Sequence, residues 1–101
     1  MIARVATFEG TEEQIDDAVS VIRDEVHPQN ALTPGYVEGM FLVDRDSGSG
    51  LLISIWQDNE FVERAETRSA MFGRHGALEA TGGSRTSVKL YDVVSITAGP
   101  R

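Results

Sequence analysis

A chain of 101 residues with 41 % apolar and 25 % charged side chains has the composition of one ordinary globular domain. Sixteen acidic against nine basic side chains leave a formal net charge of −7, and Lys89 with eight scattered arginines makes no basic stripe for a polyphosphate, so no nucleic-acid partner is expected. There is no cysteine, which excludes disulfides, thiolate metal sites and a cysteine nucleophile. No run approaches the roughly 18 apolar residues that span a bilayer, and Met1–Gly10 has no long apolar core, so neither a membrane partner nor a signal peptide is expected and the cytoplasm is the expected location.

Met1–Glu9 reads as a first strand, with Ile2, Arg4, Ala6 and Phe8 on one face and Ala3, Val5 and Thr7 on the other. Both faces are partly apolar, which implies cover on both sides. Thr11-Glu12-Glu13-Gln14 spells a capping box, so a helix begins at Thr11. Ile15, Ala18, Val19, Ile22 and Val26 form its apolar stripe. Pro28 disfavours helical backbone in the residue before it, which predicts an end near His27, with His27 as a cap residue.

Gln29–Pro34 reads as a loop and Pro34-Gly35 as a turn. Tyr36–Val43 is a second strand, with Tyr36, Glu38, Met40 and Leu42 expected on one face and Val37, Gly39, Phe41 and Val43 on the other. Asp44–Gly50 is a polar hairpin loop, and Leu51–Trp56 is a third strand that pairs antiparallel with the second. Asp58 caps a helical region over Asn59–Ala80, read as two pieces meeting near Thr67–Ser69. Arg64 and Arg68 are expected to pair with Glu60, Glu63 and Glu66. Gly82-Gly83 closes the region, Ser87–Ile96 is a last strand, and Ala98–Arg101 is a tail.

The order β-α-β-β-α-β is that of an α+β, ferredoxin-like domain with a four-stranded antiparallel sheet. Helices cover one sheet face. The other face is also apolar, so a second copy of the chain is the expected cover, giving a homodimer.

Few side chains suggest chemistry. Trp56, the single tryptophan, is either a packed anchor at a strand end or a wall that stacks on a flat ligand. His75 shares helical spacing with Met71, Phe72 and Leu78, so it is either a hydrogen-bonded core residue or a base with a pKa suited to neutral pH. His27 and His75 have no metal-ligand spacing, and no GxGxxG, Walker A or GxSxG motif is present, so no metal and no cofactor are expected. The carboxylates Glu12, Glu13, Asp16 and Asp17 read as a solvated helix face.

Pro34-Gly35-Tyr36, a strand, a polar hairpin, Leu51–Asp58 (LLISIWQD) and then Phe61 on a helix resemble the antibiotic-biosynthesis monooxygenase superfamily, on whose pattern Gly35, Tyr36, Trp56, Asp58 and Phe61 stand. The resemblance implies a dimeric α/β barrel built from the ferredoxin-like protomer. It also implies oxidation of a polycyclic phenol without metal or flavin, in which the bound phenol is deprotonated and its anion passes an electron to oxygen. On that reading His75 is the base and Tyr36 an orienting hydroxyl. Trp56, Phe72 and Met71 line the site for a small apolar or aromatic ligand, and Arg74 stabilises an anion. The haem-degrading branch has an Asn in the first strand and a His about ten residues past the Trp, where this chain has Ala6 or Thr7 and Ala65 or Glu66; His75 lies about two and a half helical turns too far along. Because the fold hosts many functions, a non-catalytic ligand-binding or stress-responsive dimer and a purely structural dimer stand beside the oxygenase.

Overall fold

The computed structural model describes residues 1–72 and 84–100, with side chains over 1–67 and 87–100. The chain runs β1 (Ile2–Glu9), α1 (Glu12–Val21), a π-helical turn (Ile22–Val26), α2 (His27–Ala31), β2 (Tyr36–Asp44), β3 (Ser49–Trp56), α3 (Asn59–Phe72) and β4 (Ser84–Asp92). The strands form one sheet in the order β2-β3-β1-β4, antiparallel throughout. This is the α+β, ferredoxin-like arrangement with helices against the sheet. The last strand lies earlier in the chain than the sequence suggests: it runs Ser84–Asp92 instead of Ser87–Ile96, and residues 93–100 carry no regular structure.

The capping box forms as the sequence specifies. Thr11 Oγ1 accepts from the Gln14 amide at 3.2 Å, and Gln14 Oε1 accepts from the Thr11 amide at 2.8 Å, so two of the orphan donors of the helix start are satisfied. Ile15, Ala18, Ile22 and Val26 are buried against Ala6 and Phe8 of β1 and Leu52 of β3, with Phe41 and Val43 of β2 at the margin. Each fully buried aliphatic side chain in this layer contributes about 1.5–3 kcal/mol.

Pro28 does not end the helix, contrary to the sequence expectation. The backbone stays helical to Ala31 because the turn before the proline is π-helical, with the His27 amide donating to the Ile22 carbonyl five residues back. The wider turn repositions the carbonyls that a proline ring would otherwise meet. His27 is therefore inside the helical rod rather than at its cap.

The expected break near Thr67–Ser69 is also absent: α3 is continuous from Asn59 to Phe72. Asp58 caps it as expected, its Oδ1 accepting from the Phe61 amide at 3.2 Å. Arg64 pairs with Glu60 one helical turn away, whereas Glu63 accepts from Asn59 and Glu66 reaches across to Arg4 of β1. The side chain of Arg68 lies outside the described residues.

Register decides which side chains share a face. Ile2, Arg4, Ala6 and Phe8 of β1 stand opposite Trp56, Ser54, Leu52 and Gly50 of β3 on the helix side. Gly39, Phe41 and Val43 of β2 join them. The other side carries Ala3, Val5, Leu51, Ile53, Ile55, Met40 and Leu42, with Ser87, Lys89 and Tyr91 on the β4 edge. Leu42, Met40 and Leu51 of this side are exposed.

One expected face assignment is wrong. A β-bulge lies between Tyr36 and Glu38, so Tyr36 pairs with Trp56 while Glu38 already pairs with Ile55. The extra residue, Val37, puts Tyr36 on the helix side with Gly39, not on the open side with Glu38, Met40 and Leu42.

The turn into β2 depends on Gly35. Its φ is +84°, and a Cβ there would collide with the Phe61 ring of α3; a side chain would meet both backbone strain and overpacking. Gly35→Ala is expected to lower unfolding stability by about 2–4 kcal/mol, read from urea denaturation. A loss below about 0.5 kcal/mol, within the range of a neutral surface change, would contradict this account of the turn.

Candidate functional site

The site is assembled at the ends of β2 and β3 under α3. Trp56 closes β3 with 3 % of its surface exposed. It packs with Val62 and Ala65 of α3, and Ile2, Tyr36 and Phe61 complete the cluster. Its indole Nε1 donates to Ser54 Oγ at 3.0 Å. Two residues apart on one strand, the two side chains share a face, so the local strand geometry alone supplies the partner that a buried indole needs.

Tyr36 meets Trp56 edge to face, with ring centroids 5.4 Å apart and planes at 76°, an arrangement worth about 0.5–1.5 kcal/mol beyond area burial. The bulge brings Tyr36 over Gly39, and a Cβ at Gly39 would collide with Tyr36 Oη. The missing side chain is therefore the seat of the hydroxyl. Among the described residues Tyr36 Oη has no hydrogen-bond partner, and no buried side-chain nitrogen or oxygen is unpartnered. Burial, and secondarily the Glu38 carboxylate, raise the Tyr36 pKa above its ordinary value of 10.0. At neutral pH the group is a hydrogen-bond donor in the free phenol form.

Arg4 joins the site without being singled out by any sequence motif. It lies on the helix-side face of β1, opposite Ser54, and Ser54 is in turn opposite Gly39. Arg4, Ser54 and the Tyr36 hydroxyl above Gly39 thus form one polar row across three strands. The Arg4 side chain is only 12 % exposed and its Nε donates to Glu66 Oε1 of α3 at 2.8 Å. A largely buried guanidinium requires such a partner. The signal was present in the sequence: Arg4 is the one cation among Ile2, Ala6 and Phe8.

Of the sequence-predicted site residues, the structure brings Tyr36 and Trp56 together. The backbones of Met71 and Phe72 end α3, but their side chains lie outside the described residues, as do Arg74 and His75 altogether. Among the described residues no group of three or more His, Asp or Glu is arranged to hold a metal ion, and no helix is long and apolar enough to cross a membrane.

No protein-family model matches the chain, and no curated protein does. Solved structures match its fold along nearly the whole length. SnoaB, a cofactor-independent oxygenase from Streptomyces nogalater, superposes with a TM-score of 0.73 at 20 % identity, over 94 % of each chain. The monooxygenase from the gene ActVA-Orf6 of Streptomyces coelicolor, in complex with nanaomycin D, gives 0.70 at 17 % identity, over 99 % of this chain and 91 % of that one. An antibiotic biosynthesis monooxygenase gives 0.72 at 19 % identity, over 94 % and 100 %. The chain therefore has the fold of the antibiotic biosynthesis monooxygenase structures.

The raised Tyr36 pKa has a defined consequence for stability. Folding favours the neutral phenol, so its contribution is fully present below about pH 10, the unfolded value, and is lost as pH rises through the higher folded value. Thermal melts from pH 8 to 11 are expected to show wild type losing stability relative to Tyr36→Phe above pH 10. Parallel curves for the two proteins would contradict the assignment.

Proposed function

We propose that the chain is a cofactor-independent monooxygenase-like member of the antibiotic-biosynthesis monooxygenase superfamily, acting on a small aromatic, polycyclic phenol-like substrate as a homodimer. The fold supports this reading, and so does one observation above the others: Tyr36, whose hydroxyl has no hydrogen-bond partner among the described residues, stands beside a buried tryptophan, held there by a bulge and a glycine. The hydroxyl offers a donor for the oxygen of an apolar ligand.

The chemistry asked of the protein is limited. A base removes the phenolic proton, which raises the electron density of the ring system. The anion passes an electron to O2. One oxygen atom becomes the new carbonyl of the quinone, and the other leaves as water with two hydrogens, the phenolic one taken by the base and the one lost from the oxidised ring carbon. Tyr36 orients the substrate oxygen as a donor, since its own pKa lies too high for it to act as a base at neutral pH. His75 is assigned as the base, and Met71, Phe72 and Arg74 are assigned to the remainder of the site. The apolar open face of the sheet, with Met40, Leu42 and Leu51 exposed, is assigned to the second copy.

A non-catalytic ligand-binding protein on the same fold is the second reading. Among the described residues of the Trp56 cluster the one titratable side chain is Tyr36, whose raised pKa keeps it from taking a proton at neutral pH, and this favours that reading.

Oxygen uptake with a panel of anthrones and naphthols distinguishes the two. Wild type is expected to consume O2, His75→Ala to lower kcat by about 100-fold or more, and Tyr36→Phe to lower kcat/KM by about fivefold, the worth of one hydrogen bond. An unchanged rate in His75→Ala would remove the proposed base. Binding of the same phenols without uptake would establish the non-catalytic reading.

A further inference from the structure

The open face of the sheet is apolar at its centre, where Val5 and Ile53 stand, and polar at its two long edges. Glu38 lies on the β2 edge, Lys89 and Tyr91 on the β4 edge. All three are exposed, and Lys89 is the only lysine in the chain. Among the described residues neither the Glu38 carboxylate nor the Lys89 ammonium has a hydrogen bond or an ion pair. They cannot meet within one copy, because the strand order β2-β3-β1-β4 sets them three strand spacings apart, about 14 Å.

Register fixes where these groups stand along the strands. Glu38 begins a cross-strand row that ends at Tyr91, and Met40 begins the next, which ends at Lys89. Lys89 is therefore displaced from Glu38 by two residues along the strands, about 7 Å. A second copy packed face to face with its strands aligned has its two-fold axis either across the strands or along them. An axis across the strands lays each edge on the same edge of the other copy, so carboxylate faces the carboxylate edge and ammonium the ammonium edge. An axis along the strands exchanges the edges. Tyr91 then stands over the partner's Glu38 and Lys89 one row along, with the sheets about 10 Å apart, a gap that one long side chain from each copy bridges. Asp44 and Glu9 lie two rows beyond Lys89, and the Asp44 carboxylate already accepts from the Asp46 and Ser47 amides. With an acceptor at one edge and donors at the other, the face is complementary to itself. We propose that the second copy docks in this one orientation, β4 of each copy over β2 of the other, with Lys89 and Tyr91 donating to the partner's Glu38 at two equivalent contacts. This rests on the homodimer of the proposed function and specifies how it is assembled.

Charge reversal tests the orientation. Glu38→Lys leaves only cations at the contact and Lys89→Glu only carboxylates, and the two-fold axis makes each substitution act twice. Dimer dissociation constants are read by sedimentation with fluorescence detection, from nanomolar to micromolar concentration in low salt, with a trace of labelled chain. Each variant alone is expected to dimerise about tenfold or more weakly than wild type, because like charges then face each other. An equimolar mixture of the two variants restores an opposite pair at both contacts and is expected to dimerise within about threefold of wild type. The doubly substituted chain, which carries the pair reversed, is expected to do the same. Recovery in the mixture also shows that both variants are folded. Single variants that dimerise as tightly as wild type, or a mixture no tighter than either variant alone, would overturn the orientation while the homodimer stands. A wild type that stays a single chain across the whole range would remove the homodimer and the orientation together.

Discussion

One four-stranded sheet with apolar side chains on both faces and a helical layer on only one is the constraint behind the rest of this molecule. Each strand alternates, so a strand cannot choose its faces separately. Once Ala6, Phe8 and Leu52 are committed to the helices, Val5, Leu51 and Ile53 must face the other way. The sequence thus creates the covered core and the uncovered apolar face together, and the proposed second copy answers the second of these.

Within the helix-covered half, the two ends of the sheet do different work. Toward α1 the layer is aliphatic and closed, with Ile15 and Ile22 fully buried. Toward α3 it contains the aromatic pair and the polar row of Arg4, Ser54 and Tyr36. The row exists because three local devices agree. A bulge shifts Tyr36 across the sheet, Gly39 leaves room for its hydroxyl, and Glu66 on α3 meets the cation of β1. Arg4 at one end is paired with Glu66, and the Tyr36 hydroxyl at the other has no hydrogen-bond partner among the described residues.

Much of the fold is legible in the sequence because its signals are local. The capping box at Thr11, the cap at Asp58 and the alternation of β1 and β3 lie in short windows and appear as read. What escapes reading is non-local or depends on one extra residue. Pro28 stops an α-helix, but a preceding π-helical turn removes the obstacle, and no spacing rule announces that turn. The bulge at Val37 inverts the side assigned to Tyr36, because a strand's parity holds only while its pairing is regular. The Tyr36–Trp56 neighbourhood is recoverable from the residues that resemble the monooxygenase pattern. Arg4 was visible as a cation in an apolar row, yet its partner Glu66 is 62 positions away and only the tertiary fold joins them.

The central claim is that the bare face of the sheet is an interface, and its most direct test is sedimentation equilibrium of the wild type and of Leu51→Arg at micromolar concentration. The account predicts twice the mass of a single chain for the wild type and a shift toward the single-chain mass when a charge is placed at Leu51. A wild-type chain that sediments alone would contradict it.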